Sequence, residues 1–211
     1  MLNTLDNAAE PRALHSHSLF TEARYSDLPN YQPSVRAWDT ANLDDLAIGL
    51  MAFELEDYSV ATSVLMRIGD EDPAQFAIAQ ECLGVAHLKT GHPELAIEPL
   101  RRAVQLDERL HRDPLAIAEC QFSLGLAYAR TGHDECALSE YRDALLCEPH
   151  WGSVLYEIAR VHAHRNRVVD SVAYLADAAR QDELFLDRAE HDFDFDTVRR
   201  TPEFSRLLPD S

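Results

Sequence analysis

The sequence predicts an all-α protein built from repeated pairs of helices stacked into a solenoid. Three observations carry this: a small residue at the same place in four successive segments, two nearly identical turns, and prolines at the segment boundaries. From Gly125 the chain steps twelve residues to Ala137, seven to Ala144 and five to Pro149. The same steps from Gly84 reach Ala96, Ala103 and Glu108, and from Gly49 they reach Ala61, Ile68 and Pro73. From Ala159 they reach Ser171, Ala178 and Glu183. The turns TGHPE (Thr90 to Glu94) and TGHDE (Thr131 to Glu135) differ at one position.

Each element follows from local chemistry. The stretch from Ala118 to Pro149 carries Phe122, Leu124, Leu126 and Tyr128 on one helix and Ala137, Leu138, Tyr141, Ala144 and Leu145 on the next. Gly132 supplies the left-handed residue that ends a helix, Asp134 is placed to cap the next one, and Pro149 stops it. Gly125 sits in a helix interior at a cost of about 1 kcal/mol relative to Ala, which implies a close approach there. Upstream, Asn42 and Asp45 have capping-box spacing, and a second helix is expected from Asp57 to Ile68. Asp72-Pro73 and Asp113-Pro114 each place a cap residue before a first-turn proline. Gly84 and Gly125 stand 41 residues apart, so Glu108 to Asp113 forms an extra piece, either a helix extension or a short loop. Pro99 falls inside a helix and should kink it. After Glu183 the repeat stops, yet Leu184, Phe185, Phe193, Phe195, Val198, Phe204 and Leu207 continue an amphipathic pattern. The end of a solenoid exposes an apolar face that needs a cover, so this segment is read as a cap, with Val172 and Leu175 beneath it.

These spacings resemble the tetratricopeptide repeat (TPR), a helix-turn-helix unit of about 34 residues. Gly125, Tyr128, Ala137, Tyr141, Ala144 and Pro149 fill that family's small, aromatic and proline slots. The fourth copy departs most, with Ala159 for Gly, Asn166 for the turn Gly and Glu183 for Pro. Asp45, Gln80, Gln121 and Leu155 stand where the family carries an early Trp. The resemblance implies a right-handed α-α superhelix of about four repeats. It divides the chain into a flexible N-terminal arm (1–41), four repeats (42–183) and a C-terminal capping segment (184–211). The run DFDFDTVRRTPEF is similar to the tails of many bacterial proteins of this kind.

The resemblance also implies that one face of each first helix lines a concave groove. On that stripe lie Leu43, Leu46, Leu50 and Glu54; Ile78, Glu81, Val85 and Lys89; Glu119, Phe122, Leu126 and Arg130; and Ser153, Tyr156, Arg160 and His164. The groove expected from it has an apolar floor and an edge that turns positive at Lys89, Arg130 and His164. Its expected partner is a protein or peptide segment, amphipathic and with acidic character. Eukaryotic co-chaperone relatives clamp a carboxylate with Lys and Asn, but Leu46 and Leu50 occupy those slots in repeat one. The apolar floor is closer to the TPR chaperones of type III secretion. Burial of the floor by the arm, or by the curvature of the superhelix, stays open at this stage.

Composition narrows the function classes. A net charge of −18 argues against a nucleic-acid backbone as partner. Cys82, Cys120, Cys136 and Cys147 form neither a zinc pattern nor a disulfide framework and read as small packing residues in a reducing compartment. With no apolar leader and no membrane-length run, the expected location is the cytoplasm, with no membrane partner. Asp192, Asp194, Asp196 and Glu203 echo a calcium loop, but Thr197 stands where its glycine belongs and Arg199 and Arg200 intrude. His15 and His17 have no third ligand near them, and His162 and His164 lie on different helix faces. No cofactor, metal or catalytic residue is therefore expected. The function read from the sequence is non-catalytic protein binding as an adaptor, scaffold or chaperone. A homo-oligomeric scaffold is the alternative, and an enzyme comes third.

Overall fold

A computed structural model describes residues 44–208, and the regular structure among them is entirely helical. Helices pair in chain order: α1 (Asp45–Glu54) with α2 (Tyr58–Leu65), α3 (Pro73–Lys89) with α4 (Pro93–Arg109), α5 (Pro114–Arg130) with α6 (Asp134–Cys147), and α7 (Gly152–His164) with α8 (Val168–Gln181). Then come α9 (Leu184–His191), two single 3-10 turns (Phe193–Phe195 and Val198–Arg200) and the short α10 (Pro202–Ser205). First helices α1, α3, α5 and α7 touch one another in succession, which makes them one row of a two-row stack. Expectations placed on Asn42 and on the flexible arm 1–41 lie outside the described residues.

The pairs are locked where a small residue meets a bulky one sixteen positions later. A Cβ on Gly49 would lie 2.5 Å from Leu65 Cδ2. One on Gly84 would lie 2.8 Å from Leu100 Cδ2, and one on Gly125 would lie 2.6 Å from Tyr141 Cδ1. Leu65, Leu100 and Tyr141 are fully buried. These are the glycines whose helix-interior cost the sequence left to be explained.

Seven residues after each small residue the chain turns left-handed: Glu56 (φ 59), Gly91 (φ 78), Gly132 (φ 78) and Asn166 (φ 56). Each turn closes with a bond from the following N–H back across the helix end. Asp57 N donates to Ala52 O at 2.9 Å, His92 N to His87 O at 2.8 Å, His133 N to Tyr128 O at 2.9 Å and Arg167 N to His162 O at 2.8 Å. This Schellman geometry satisfies carbonyls that would otherwise be orphaned, and it reverses the chain in three residues. Two repeats adopt it without glycine, so a non-glycine left-handed residue is tolerated where the closing bond forms.

Caps depart from expectation in two places. The N-cap of α1 is Asp44, whose carboxylate accepts from Ala47 N at 2.9 Å, so Asp45 is the first helical residue and not the third. Asp134 is the first helical residue of α6; its N-cap is His133, which makes no side-chain capping bond. Asp134 instead meets the C-terminal end of the next repeat's first helix, through His164 at 3.6 Å and Arg165 at 4.0 Å. The Asp72 and Asp113 caps form, accepting from Ala74 N and Leu115 N at 3.0 and 3.1 Å. The extra piece resolves into both alternatives: α4 runs on to Arg109, and a left-handed His111 (φ 51) turns the chain toward Asp113. Asp107 is buried at that extension, 3.4 Å from Arg112 Nη1. Cys82 and Cys120 are buried as packing residues, whereas Cys136 and Cys147 are exposed.

The C-terminal segment packs on α8 and crosses to α7. Phe185, Phe195, Val198 and Phe204 join Tyr156, Ala159 and Leu175 in one buried cluster. The ring of Tyr156 lies 5.5 Å from Phe185 and 5.5 Å from Phe195. Its hydroxyl donates to Asp192 Oδ2 at 2.8 Å, and the Arg188 guanidinium sits 4.4 Å over its ring. Gly152 lets Phe185 in, since a Cβ there would be 2.7 Å from Phe185 Cε2. Arg199 Nη1 donates to Asp192 O at 2.8 Å and to Ala189 O at 3.1 Å, which ties the turns to α9. Three of the four acids of the calcium-loop echo are engaged: Asp192 with Tyr156, Asp194 with Arg160 and Asp196 with Arg199.

This packing makes the docking of the C-terminal segment testable. Phe195 is fully buried while Phe193, two residues earlier, is 86% exposed. Phe195→Ala should cost about 3–5 kcal/mol, and Phe193→Ala should stay within about 0.5 kcal/mol. Urea unfolding of the two variants checks this; equal effects would mean that the turn is not docked.

Burial also makes stability depend on pH. His162 stacks on Tyr174 at 5.6 Å, and its Nδ1 has no hydrogen-bond partner among the described residues, lying 3.9 Å from Asp170. Burial lowers its pKa, opposed by Asp170 and reinforced by Arg167, Arg142 and Arg165. The unfolded chain therefore binds the proton more readily, so stability drops as pH falls below about 6.5. Glu140 is pushed up to about 7 by burial, with Asp143 and Glu108 adding to it. Here the folded state holds the proton more tightly, and stability declines as pH rises from about 4.5 toward that value. His162→Phe should flatten the acid limb of the melting temperature, and Glu140→Gln should raise it at pH 8. Melting curves from pH 5 to 8 that keep the wild-type shape in both variants would contradict the assignment.

Candidate functional site

The inner row of helices is where the stripe residues fall, and the structure sorts them by depth. Leu46, Leu50, Ile78, Val85, Phe122 and Tyr156 are buried, none more than 6% exposed. An open apolar floor is therefore not what the structure presents. Leu46, Leu50, Ile78 and Val85 belong to one core cluster, and Phe122 packs against Trp151 at 5.2 Å and Tyr141 at 6.0 Å. Tyr156 lies under the C-terminal segment. Leu126 and Arg160 are half-buried, and Lys89, Arg130 and His164 are exposed. Leu43 lies outside the described residues.

The exposed residues share a place in the fold. Lys89, Arg130 and His164 each end a first helix, and the helix dipole favours the two cations, Lys89 and Arg130, there. Arg130 Nη1 donates to Leu88 O at 3.1 Å, joining the end of α5 to the end of α3. His164 reaches Asp134 at 3.6 Å, and Arg165 bridges Asp134 and Glu135 at the start of α6. These contacts tie successive repeats together along one edge.

A second group was not read from the sequence. Glu157, one residue from Tyr156, is buried and lies 2.9 Å from Arg160 Nη2 and 3.8 Å from Arg188 Nη2. Burial pushes its carboxyl up, while Arg160 and Arg188 pull it down. Arg160 also reaches Asp194 at 3.3 Å. Arg160 therefore joins the first helix of repeat four to the C-terminal segment and is not a free groove cation. A signal existed in the sequence: Glu157 and Arg160 sit at helical i, i+3 spacing among apolar neighbours. What the spacing could not show was that a distant arginine, Arg188, would complete the set. Tyr141 is fully buried, its hydroxyl has no hydrogen-bond partner among the described residues, and burial pushes its pKa well up. Among the described residues, no cluster of three His, Cys, Asp or Glu side chains could hold a metal ion, and no helix is long and apolar enough to cross a membrane.

No family model matches the chain, and no curated protein matches it. Solved structures do. The chain is similar to the nearly identical TPR-like repeats of a kinesin light chain protein from Podosopora anserina, at 16% identity and a TM-score of 0.50 over 77% of this chain and 83% of that one. A point variant of the same repeats aligns at 15% identity and a TM-score of 0.50, over 77% and 79% of the two chains. At this level of identity the likeness speaks to architecture: the chain has the fold of a TPR-like helical-repeat solenoid.

Proposed function

We propose that this chain is a non-catalytic protein-binding module, working as an adaptor, scaffold or chaperone, that receives a partner segment along the inner row of helices. The observation that supports it is the shared edge. Lys89 and Arg130 end successive inner helices, with the half-buried Leu126 one turn inside Arg130. In a chain of net charge −18 the pair Lys89 and Arg130 is a local exception. A fitting partner is an amphipathic segment with apolar anchors and at least one acid. Each Leu-sized anchor it buries contributes about 1.5–3 kcal/mol. The cations set orientation and on-rate and weaken with salt.

The test needs a partner captured from native lysate, identified and then titrated as a purified protein. Leu126→Asp should weaken binding at least tenfold in a variant that circular dichroism shows still folded, with a melting temperature lowered because Leu126 also packs against the core. Arg130→Glu should weaken it several-fold and flatten its dependence on ionic strength. Normal binding by both folded variants would move the site off this face.

A further inference from the structure

The turns that join the paired helices carry a regularity that the apolar stripe does not explain. Five and eight residues after the small residue of each repeat stand Lys89 and His92, Arg130 and His133, and His164 and Arg167. Repeats two, three and four thus each place one permanent cation and one histidine at the same two positions, in either order. Repeat one has Glu54 and Asp57 there. The first position is the last residue of α3, α5 or α7, and the second is the N-cap of α4, α6 or α8. All six side chains of repeats two to four are exposed along this edge. An N-cap ordinarily calls for Ser, Thr, Asp or Asn. His92, His133 and Arg167 make no side-chain capping bond, so capping does not account for them.

The charge of the edge turns on its histidines. On turns two to four, Lys89, Arg130, Arg165 and Arg167 stand with Glu94, Asp134, Glu135 and Asp170, four cations with four acids. His92 has Lys89, Glu94 and the half-buried His87 around it. His133 lies 6.1 Å from the Tyr128 ring and 2.8 Å from Thr131 Oγ1, between Arg130 and Asp134 in the chain. His164 lies 3.6 Å from Asp134, which also has Arg165 at 4.0 Å. Histidine changes charge between pH 5 and 8. On acidification His92, His133 and His164 therefore add three positive charges to an edge that is otherwise balanced. Behind them, burial lowers the pKa of His87 and His162, which charge later.

We propose that this edge is a proton-gated docking surface for an acidic protein segment, with one carboxylate to each of turns two, three and four. This rests on the reading of Lys89 and Arg130 as the partner's cationic contacts. It extends that contact to repeat four and adds its regulation. Helices in contact stand about 8–10 Å apart, which is about three residues of extended chain, so the acids recur at that interval. Glu54 and Asp57 repel acids at the first turn and confine the acidic stretch to the other three. Affinity rises as pH falls through the histidine range and reverses only near pH 4, where the partner's own carboxylates take up protons.

The probe is a rhodamine-labelled peptide of four Glu-Ser-Gly units, titrated into the full chain at low salt and followed by fluorescence anisotropy. It should bind at least tenfold more tightly at pH 5.5 than at pH 7.5. The variant His92→Gln, His133→Gln, His164→Gln should lose that difference while melting as wild type does at pH 7.5. No binding at pH 5.5 would overturn the proposal. So would the same ratio in the variant, because acidification would then act only through the chain's overall negative charge. NMR of the wild-type histidine rings gives a second readout. At pH 6.5 the peptide should shift the signals of His92, His133 and His164 and leave His111 and His150 in place; uniform shifts would contradict the assignment. Phosphatidylserine vesicles that bind at pH 5.5 where the peptide does not would make the partner a membrane and overturn it as well. If the pH ratio fails while Arg130→Glu still weakens binding of the captured partner, the face proposed above stands and only its gating is lost.

Discussion

The rest of this structure depends on how closely the two helices of a repeat approach. At Gly49, Gly84 and Gly125 the first helix has no side chain, and Leu65, Leu100 or Tyr141 of the second helix fills the space. Ala159 and Leu175 hold the same places in the fourth repeat, and both are fully buried. The constraint is steric and local, so it can be met four times with different bulky partners. It sets the separation of the two rows. Once that is set, the left-handed turn seven residues on has only one direction in which to send the chain. The interval of sixteen residues from small to bulky is constant even though the repeats themselves are spaced unevenly.

Stacking such pairs buries the first helices more deeply than the second. The inner row therefore carries polar residues that are themselves buried, among them Gln80, Glu81, Glu119, Gln121, Glu157 and His162. Burying charge this way is unfavourable unless it is paired. In repeat four the pairing is visible: Glu157 sits between Arg160 and Arg188, and Arg160 carries on to Asp194. These contacts fix where the C-terminal segment lies, while the apolar contacts of Phe185, Phe195 and Phe204 supply most of the energy. The segment does two things at once: it covers the last outer helix and closes the inner face of the last repeat.

Much of the architecture was legible because it rests on short-range rules. Glycine spacing, Asp-Pro starts and the near-identical turns all act within one repeat. What was not legible depended on contacts between distant parts. Asp134 reads as a cap by residue type, but its carboxylate is drawn to His164 and Arg165 of the next repeat. Glu56 and Asn166 take up left-handed turns that composition assigns to glycine, because the closing backbone bond compensates. Arg160 lies on the groove stripe by spacing, yet it is committed to Glu157 and Asp194. The apolar stripe was readable as apolar. Its depth was not, because periodicity says which way a side chain points and not what lies beyond it.

The steric claim has a direct test in Gly125→Ala. Helix propensity alone predicts that this change stabilises the protein by about 1 kcal/mol. The close approach predicts the reverse sign. The new methyl would sit 2.6 Å from Tyr141 Cδ1, and that ring is fully buried against Phe122 and cannot withdraw. Overpacking of this kind costs about 1–3 kcal/mol. Urea unfolding of the full chain should show a lower midpoint for Gly125→Ala than for wild type. A midpoint that is unchanged or raised would contradict the account.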